Sequence, residues 1–84
     1  MRSAVKLYTL STCRACRATK DLLKELAVAY EFIDVDLLEG AEQDAVVETI
    51  KAVNPICAFP TVIIGDTVIV GFKEKEIRKA LESR

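Results

Sequence analysis

Residues 9–20 read TLSTCRACRATK, and this stretch joins an apolar run to a helical pattern. Before it, residues 4–10 include Val5, Leu7 and Tyr8 and predict a central strand. After it, apolar side chains recur at helical spacing over residues 14–29; these are Ala15, Ala18, Leu22, Leu23 and Leu26, with Tyr30 just beyond. Cys13 and Cys16 are therefore predicted to lie where a strand turns into a helix.

The middle of the chain predicts a second strand and a second helix. Residues 32–36 (FIDVD) have the composition of a strand, and Gly40 marks the entry to a helix over residues 41–53. Asn54-Pro55 ends this helix, because proline disfavours a helical conformation in the residue before it. The predicted apolar face consists of Ala45, Val46, Ile50 and Val53.

The last third of the chain predicts a hairpin and a final helix. Two β-branched runs surround Gly65-Asp66 within residues 61–70, and such a pair suits a tight reversal. Ile77 and Leu81 lie four residues apart among charged residues, which indicates a surface helix over residues 73–83. The order βαβαββα predicts an α/β fold, in which a parallel crossover and an antiparallel hairpin form one four-stranded mixed sheet flanked by helices.

Composition indicates one domain, residues 1–84, with 51% hydrophobic and 30% charged residues. No segment approaches the roughly 18 apolar residues of a membrane span. The isoelectric point of about 5.4 argues against nucleic-acid binding. Basic residues dominate positions 1–24 and acidic residues dominate positions 25–50. Lys6 interrupts any export signal, and three cysteines are too few for a disulfide framework, so a cytoplasmic protein is expected.

The position of Cys13 predicts a reactive thiol. A helix begins with unsatisfied N–H groups and a partial positive charge, which favours a thiolate and lowers the pKa of a cysteine there. Arg14 and Arg17 act in the same direction. Cys16 follows one turn later, within reach of a disulfide but inside the helix. Cys13 is therefore predicted to attack a disulfide and Cys16 to resolve the mixed disulfide.

Other uses of these residues remain open. A structural zinc site would need a carboxylate or a second subunit, because the chain has no histidine and only Cys57 besides the pair. Two buried apolar cysteines are the other alternative. Cys57 is either a small buried hydrophobe or a third redox or metal-binding thiol. The basic side chains of the first helix are either a solvated surface or groups that tune the thiols and dock a partner; they are Arg14, Arg17, Lys20 and Lys24.

The sequence resembles the glutaredoxins of the thioredoxin fold along nearly its whole length. The matching segments are Tyr8-Thr9, the Cys13/Cys16 pair, Phe59-Pro60-Thr61-Val62 and Gly71-Phe72. The resemblance implies that Cys13 attacks, that Cys16 resolves and that Pro60 is a cis-proline facing the cysteines. The substrate-binding residues predicted with it are Tyr8, Thr12, Arg14, Phe59, Pro60, Gly71 and Phe72.

Several positions depart from the usual glutaredoxin. Leu10 replaces a common lysine, Arg14-Ala15 separates the cysteines, and Gly71-Phe72-Lys73 stands in place of a Gly-Gly-Ser/Thr-Asp stretch that helps to hold glutathione. Gly71-Phe72-Lys73, together with Cys16-Arg17-Ala18-Thr19-Lys20, is similar to NrdH-type redoxins, which supply electrons to ribonucleotide reductase and are recharged by thioredoxin reductase.

The resemblance implies a monomeric thiol-disulfide oxidoreductase that reduces protein disulfides and needs no metal or bound cofactor. Glutathione is the alternative electron donor. A further alternative is a carrier in which Cys13, alone or with Cys57, binds an iron–sulfur cluster at a dimer interface.

Overall fold

The computed structural model describes residues 4–84; Arg2, one of the basic residues in positions 1–24, lies outside them. The elements are β1 (Val5–Thr9), α1 (Arg14–Glu25), β2 (Glu31–Asp34), α2 (Gly40–Val53), β3 (Thr61–Ile64), β4 (Thr67–Val70) and α3 (Glu74–Ser83). The strands form one sheet in the order β2-β1-β3-β4. β1 pairs parallel with β2 and antiparallel with β3, and β3 pairs antiparallel with β4. The predicted mixed four-stranded α/β fold is confirmed.

The sheet separates two hydrophobic clusters, because alternate side chains of a strand point to opposite faces. Leu7 of β1 belongs to the first cluster together with residues of α1 and α3, such as Leu23 and Ile77. Tyr8, the next residue of β1, belongs to the second cluster with Ile50 of α2. α1 and α3 therefore cover one face of the sheet and α2 covers the other. Among the helices of residues 4–84, none is both long and apolar enough to cross a membrane.

α1 ends at Glu25, four residues before the predicted end. Ala27 follows it with a φ of 56°, and its N–H donates to the Lys24 carbonyl at 3.0 Å. The Val28 N–H donates to the Leu23 carbonyl at 2.9 Å. These two bonds form a Schellman motif, which reverses the chain although an alanine occupies the position that glycine usually takes.

β2 ends at Asp34, and residues 35 and 36, predicted as strand, begin a short 3-10 helix, Val35–Leu37. Contacts from other segments explain the difference. The Gln43 side chain donates to the carbonyls of Val35 and Leu38, both at 3.0 Å. The Val35 side chain is buried in the second cluster, so the chain turns inward here.

The face that α2 presents to the sheet differs from the predicted one. Ile50 is fully buried, and Val46 and Val47 pack against the second cluster. Ala45 and Val53, predicted on the same face, are exposed. The three packed residues occupy a single turn, so α2 rests on the sheet along a short stripe. The hairpin and α3 are confirmed: Thr67 pairs with Ile64 around Gly65-Asp66, and Ile77 is fully buried.

Candidate active site

Cys13 is the residue that caps the N-terminus of α1. Its backbone is extended (φ −90°, ψ 119°), and its Sγ accepts a hydrogen bond from the Cys16 N–H at 3.1 Å. No acidic residue lies in the first turn. The sulfur thus accepts a hydrogen bond from one of the N–H groups that have no backbone partner at the start of a helix. The predicted placement of Cys13 at the strand-to-helix turn is confirmed.

Cys16 lies beneath Cys13 and is only 1% exposed. Burial, followed by a side-chain hydrogen bond to Cys13, raises the pKa of the Cys16 thiol to about 12. Cys16 therefore keeps its proton at neutral pH, whereas Cys13 is partly accessible. Both thiols are free in this structure.

The loop before Cys13 is held by Asp36, a residue that the sequence did not single out. The Ser11 N–H donates to Asp36 Oδ1 at 2.8 Å and the Ser11 hydroxyl donates to Oδ2 at 2.5 Å. These bonds, that of the hydroxyl first, lower the pKa of the Asp36 carboxyl. The predicted topology could have indicated this contact. β1 and β2 are parallel neighbours, so the residues that follow the two strands lie at the same end of the sheet.

Pro60 lies at the same end of the sheet as Cys13, because β3 begins where its antiparallel neighbour β1 ends and Thr61 pairs with Tyr8. The Phe59–Pro60 bond is cis, as the resemblance implied. The Pro60 carbonyl accepts a hydrogen bond from the Gly71 N–H at 2.8 Å. The segments around Cys13, Pro60 and Gly71 therefore lie at the same end of the sheet.

Asn54, which the sequence marked only as the end of a helix, braces the loop that leads to Pro60. Its side chain is 3% exposed and donates to the Ala58 carbonyl at 3.3 Å and to Thr61 Oγ1 at 3.0 Å. The Thr61 hydroxyl in turn donates to the Ala58 carbonyl at 2.8 Å. This closed set of bonds fixes the loop from inside.

The residues predicted to bind substrate lie at different depths. Thr12 and Arg14 are exposed beside Cys13, and Phe72 is 37% exposed after β4. Phe59 is half-buried against the second cluster. Tyr8 is only 4% exposed and is part of the second cluster, in the core beneath the site. Contact of these residues with a substrate stays a prediction.

Cys57 lies in the loop braced by Asn54. Its φ is 54°, its N–H donates to the Asn54 carbonyl at 2.9 Å, and its side chain packs against the second cluster. Within residues 4–84, no three side chains of the types that bind metals come together as a metal site. An iron–sulfur cluster shared between two chains stays an untested prediction.

A partly buried ion pair lies next to the dithiol. Lys20, one turn after Cys16, places its Nζ 3.5 Å from Asp34 Oδ1 and 3.8 Å from the centre of the Phe32 ring. Asp34 also accepts a hydrogen bond from the Thr9 hydroxyl at 2.5 Å. Lys20 is thereby fixed to the sheet and is not one of the free cations of α1.

The fold and this site define a thioredoxin-fold protein with a dithiol at the start of its first helix. The sequence model of the glutaredoxin family matches residues 5–69, and the chain belongs to that family. Among curated proteins, it is 30% identical over 78 residues to an uncharacterised glutaredoxin-like 8.6 kDa protein in the rubredoxin operon of Clostridium pasteurianum, which covers 93% of this chain and 97% of that protein.

Solved structures show the same relationship. Methanoredoxin from Methanosarcina acetivorans is 46% identical, with a TM-score of 0.89 over 95% of this chain and 85% of that chain. The glutaredoxin-like protein NrdH-redoxin from Escherichia coli is 28% identical, with a TM-score of 0.76 over 90% of this chain and 92% of that chain. The predicted glutaredoxin-like thioredoxin fold is confirmed.

Proposed function

We propose that this protein is a dithiol electron carrier that reduces disulfides in other proteins. The observation that carries the proposal is the asymmetry of the two thiols. Cys13 is partly accessible at the start of α1 and accepts a hydrogen bond from the Cys16 N–H at 3.1 Å. Cys16 is 1% exposed and protonated. This arrangement suits an attacking thiol above a resolving thiol.

The cycle has two exchange steps. The Cys13 thiolate attacks one sulfur of the target disulfide, which forms a mixed disulfide and releases the other target sulfur as a thiolate. Cys16 then loses its proton to solvent and attacks the Cys13 sulfur, which forms the Cys13–Cys16 disulfide and releases the second target thiolate. The target gains two electrons and the protein loses two, and solvent supplies the protons that the target thiolates take up. The thiols carry both electrons, so the proposed cycle uses no bound cofactor.

The first step prepares Cys16 for the second. Burial is the main cause that raises the Cys16 pKa, but the hydrogen bond to Cys13 and the charge of Cys13 raise it further. A mixed disulfide at Cys13 is neutral and cannot stabilise the thiol form of Cys16 in the same way. Both of these causes are lost when Cys13 has reacted, so the pKa of Cys16 falls towards the value that burial alone sets, which favours formation of the resolving thiolate.

We further propose thioredoxin reductase as the electron donor, with glutathione as the alternative, in a reducing cytoplasmic setting. Leu10 and the sequence Gly71-Phe72-Lys73 support this donor, because both replace residues that help to hold glutathione in the usual glutaredoxin. NrdH-redoxin from Escherichia coli, described by its thioredoxin-like activity profile, is one of the structural relatives. By the same likeness, ribonucleotide reductase is a candidate target.

Two reconstituted systems test the proposal. The oxidised protein is incubated with NADPH and thioredoxin reductase, or with NADPH, glutathione and glutathione reductase, and insulin is the disulfide substrate. We expect insulin reduction with the first system, and Cys13→Ser should abolish it. Cys57→Ser is the matched control and should retain it. Full activity of Cys13→Ser would refute the proposed mechanism, and recharging by the glutathione system alone would refute the proposed donor.

A further inference from the structure

Arg14 and Arg17 lie where a helix disfavours positive charge. The first turn of a helix carries a partial positive charge, so acidic side chains stabilise it and cations are preferred in the last turn. α1 has no acid in its first turn, and Lys24 occupies its last turn. Arg14 and Arg17 are also three residues apart, so their like charges are neighbours on the helix surface. Helix stability therefore does not explain them.

Neither arginine is neutralised within the described chain. Among residues 4–84, ion pairs join Lys20 to Asp34, Lys73 to Glu76 and Arg78 to Glu74, and none of these pairs includes Arg14 or Arg17. Asp36, which reaches the loop before Cys13, accepts hydrogen bonds from Ser11 at both carboxylate oxygens. Arg14 and Arg17 are both exposed. Two unpaired positive charges thus face solvent at the start of α1.

Arg14 and Arg17 both lie on the first turn of the helix that begins next to Cys13, the thiol that attacks in the proposed cycle. Arg14 directly follows Cys13, and the Arg17 N–H donates to the Cys13 carbonyl at 3.1 Å. We propose that Arg14 and Arg17 form a substrate-selecting surface that directs Cys13 to polypeptide disulfides flanked by acidic residues. This inference rests on the proposed function and narrows its substrate class.

The surroundings favour a polypeptide over a small anionic disulfide such as that of glutathione. Ile56, in the loop that leads to Pro60, is 82% exposed, and Phe72 is 37% exposed beyond Gly71. These apolar side chains belong to segments at the same end of the sheet as Cys13. A polypeptide can contact them while its acidic side chains pair with the arginines.

The test uses disulfide peptides of equal length that differ only in the residues beside the cysteines. One carries glutamates, one glutamines and one lysines, and the rate of their reduction by the reduced protein is measured. At low ionic strength we expect the acidic peptide to react about tenfold faster than the neutral one and the basic peptide to react slowest. The preference should nearly vanish at about 1 M salt, where charges are screened within about 3 Å.

Two variants test whether Arg14 and Arg17 cause the preference for the acidic peptide. In Arg14→Gln/Arg17→Gln the ratio of acidic to neutral rates should fall close to one, and this ratio is insensitive to changes in the reactivity of Cys13 itself. Lys24→Glu lowers the charge by two units, as the double variant does, at the exposed far end of the same helix. We expect it to leave the ratio unchanged.

The outcomes separate this inference from the proposed function. Equal rates for the three peptides with wild-type protein would overturn the acidic specificity and leave the reductase function intact. Failure to reduce any peptide would overturn the proposed function. If the double variant slows only glutathione disulfide and keeps the acidic preference, the arginines serve a small anionic disulfide and the polypeptide specificity is wrong.

Discussion

At the scale of single residues, burial decides which thiol of the pair can react. Cys16 is 1% exposed and has a pKa of about 12. Cys16 is therefore almost entirely in the thiol form at about pH 8, and the thiolate is the form that alkylates. Cys13 has no comparable burial and accepts a backbone hydrogen bond.

We therefore expect iodoacetamide to modify Cys13 of the reduced protein at about pH 8 and to leave Cys16 unmodified. Peptide mass spectrometry after trypsin digestion checks this result, because cleavage after Arg14 places the two cysteines on different peptides. Prior oxidation should protect Cys13, whereas Cys57 should react equally before and after oxidation. Labelling of Cys16 ahead of Cys13 would reverse the assigned roles.

Asp36 makes the stability of the active-site loop depend on pH. Its pKa is lowered in the folded protein by the hydrogen bonds from Ser11, so the folded state favours the carboxylate. The stabilisation is present above the unfolded value of about 3.9 and is lost as pH falls through the lower folded value. Asp36→Asn should therefore unfold at lower urea concentration than wild type near neutral pH, and the difference should shrink below about pH 4.

Asp44→Asn is the control for this pH dependence, because Asp44 is an exposed acid on α2. It should show little difference from wild type at either pH. A difference between Asp36→Asn and wild type that stays constant from neutral pH to about pH 2 would contradict the role of the Asp36 carboxylate.

At the scale of elements, the positive φ of Ala27 stores avoidable strain. A non-glycine residue in the left-handed region destabilises the folded state by about 1–2 kcal/mol. Replacing it with glycine removes this strain but increases the entropy of the unfolded chain, which costs about 0.4–1 kcal/mol of stability. The φ of 56° at Ala27 leads us to expect that Ala27→Gly stabilises the protein by about 0.5–1 kcal/mol. Urea unfolding measures this change. Ala29→Gly, two residues later, should destabilise, and stabilisation by both changes would contradict the explanation.

The sequence predicts elements well where local patterns agree with the tertiary contacts. The β-branched runs and Gly65-Asp66 define the hairpin, and Cys13 stands at the predicted start of α1. The chain reverses after α1 at Ala27, where glycine is the usual residue. Because the sequence has no glycine there to mark the end of the helix, α1 was predicted too long. The contact between Ser11 and Asp36 joins residues 25 positions apart, and the local pattern of residues 32–36 does not contain it.

At the scale of the whole molecule, the two faces of the sheet are unequally supported. The first cluster contains eight buried residues and the second contains three. α2 contributes one buried residue, Ile50, to the second cluster, whereas α1 contributes Leu22 and Leu23 to the first. α2 leads directly to Asn54, which braces the loop before Pro60. The loop that leads to Pro60 therefore packs against the less supported face.

Ile50→Ala and Ile77→Ala compare the two faces, because both side chains are fully buried, one in each cluster. Each change should lower the free energy of unfolding by about 2–5 kcal/mol. Ile50→Ala should also speed amide exchange in α2 and in residues 54–60 and reduce insulin reduction by the folded protein, whereas Ile77→Ala should leave that activity near wild type.

If an alanine variant fails to fold, Ile50→Val and Ile77→Val allow the same comparison, because each should lower the free energy of unfolding by only about 0.5–1.5 kcal/mol. Equal loss of activity at equal folded fraction would show that the α2 face does not control the Pro60 loop.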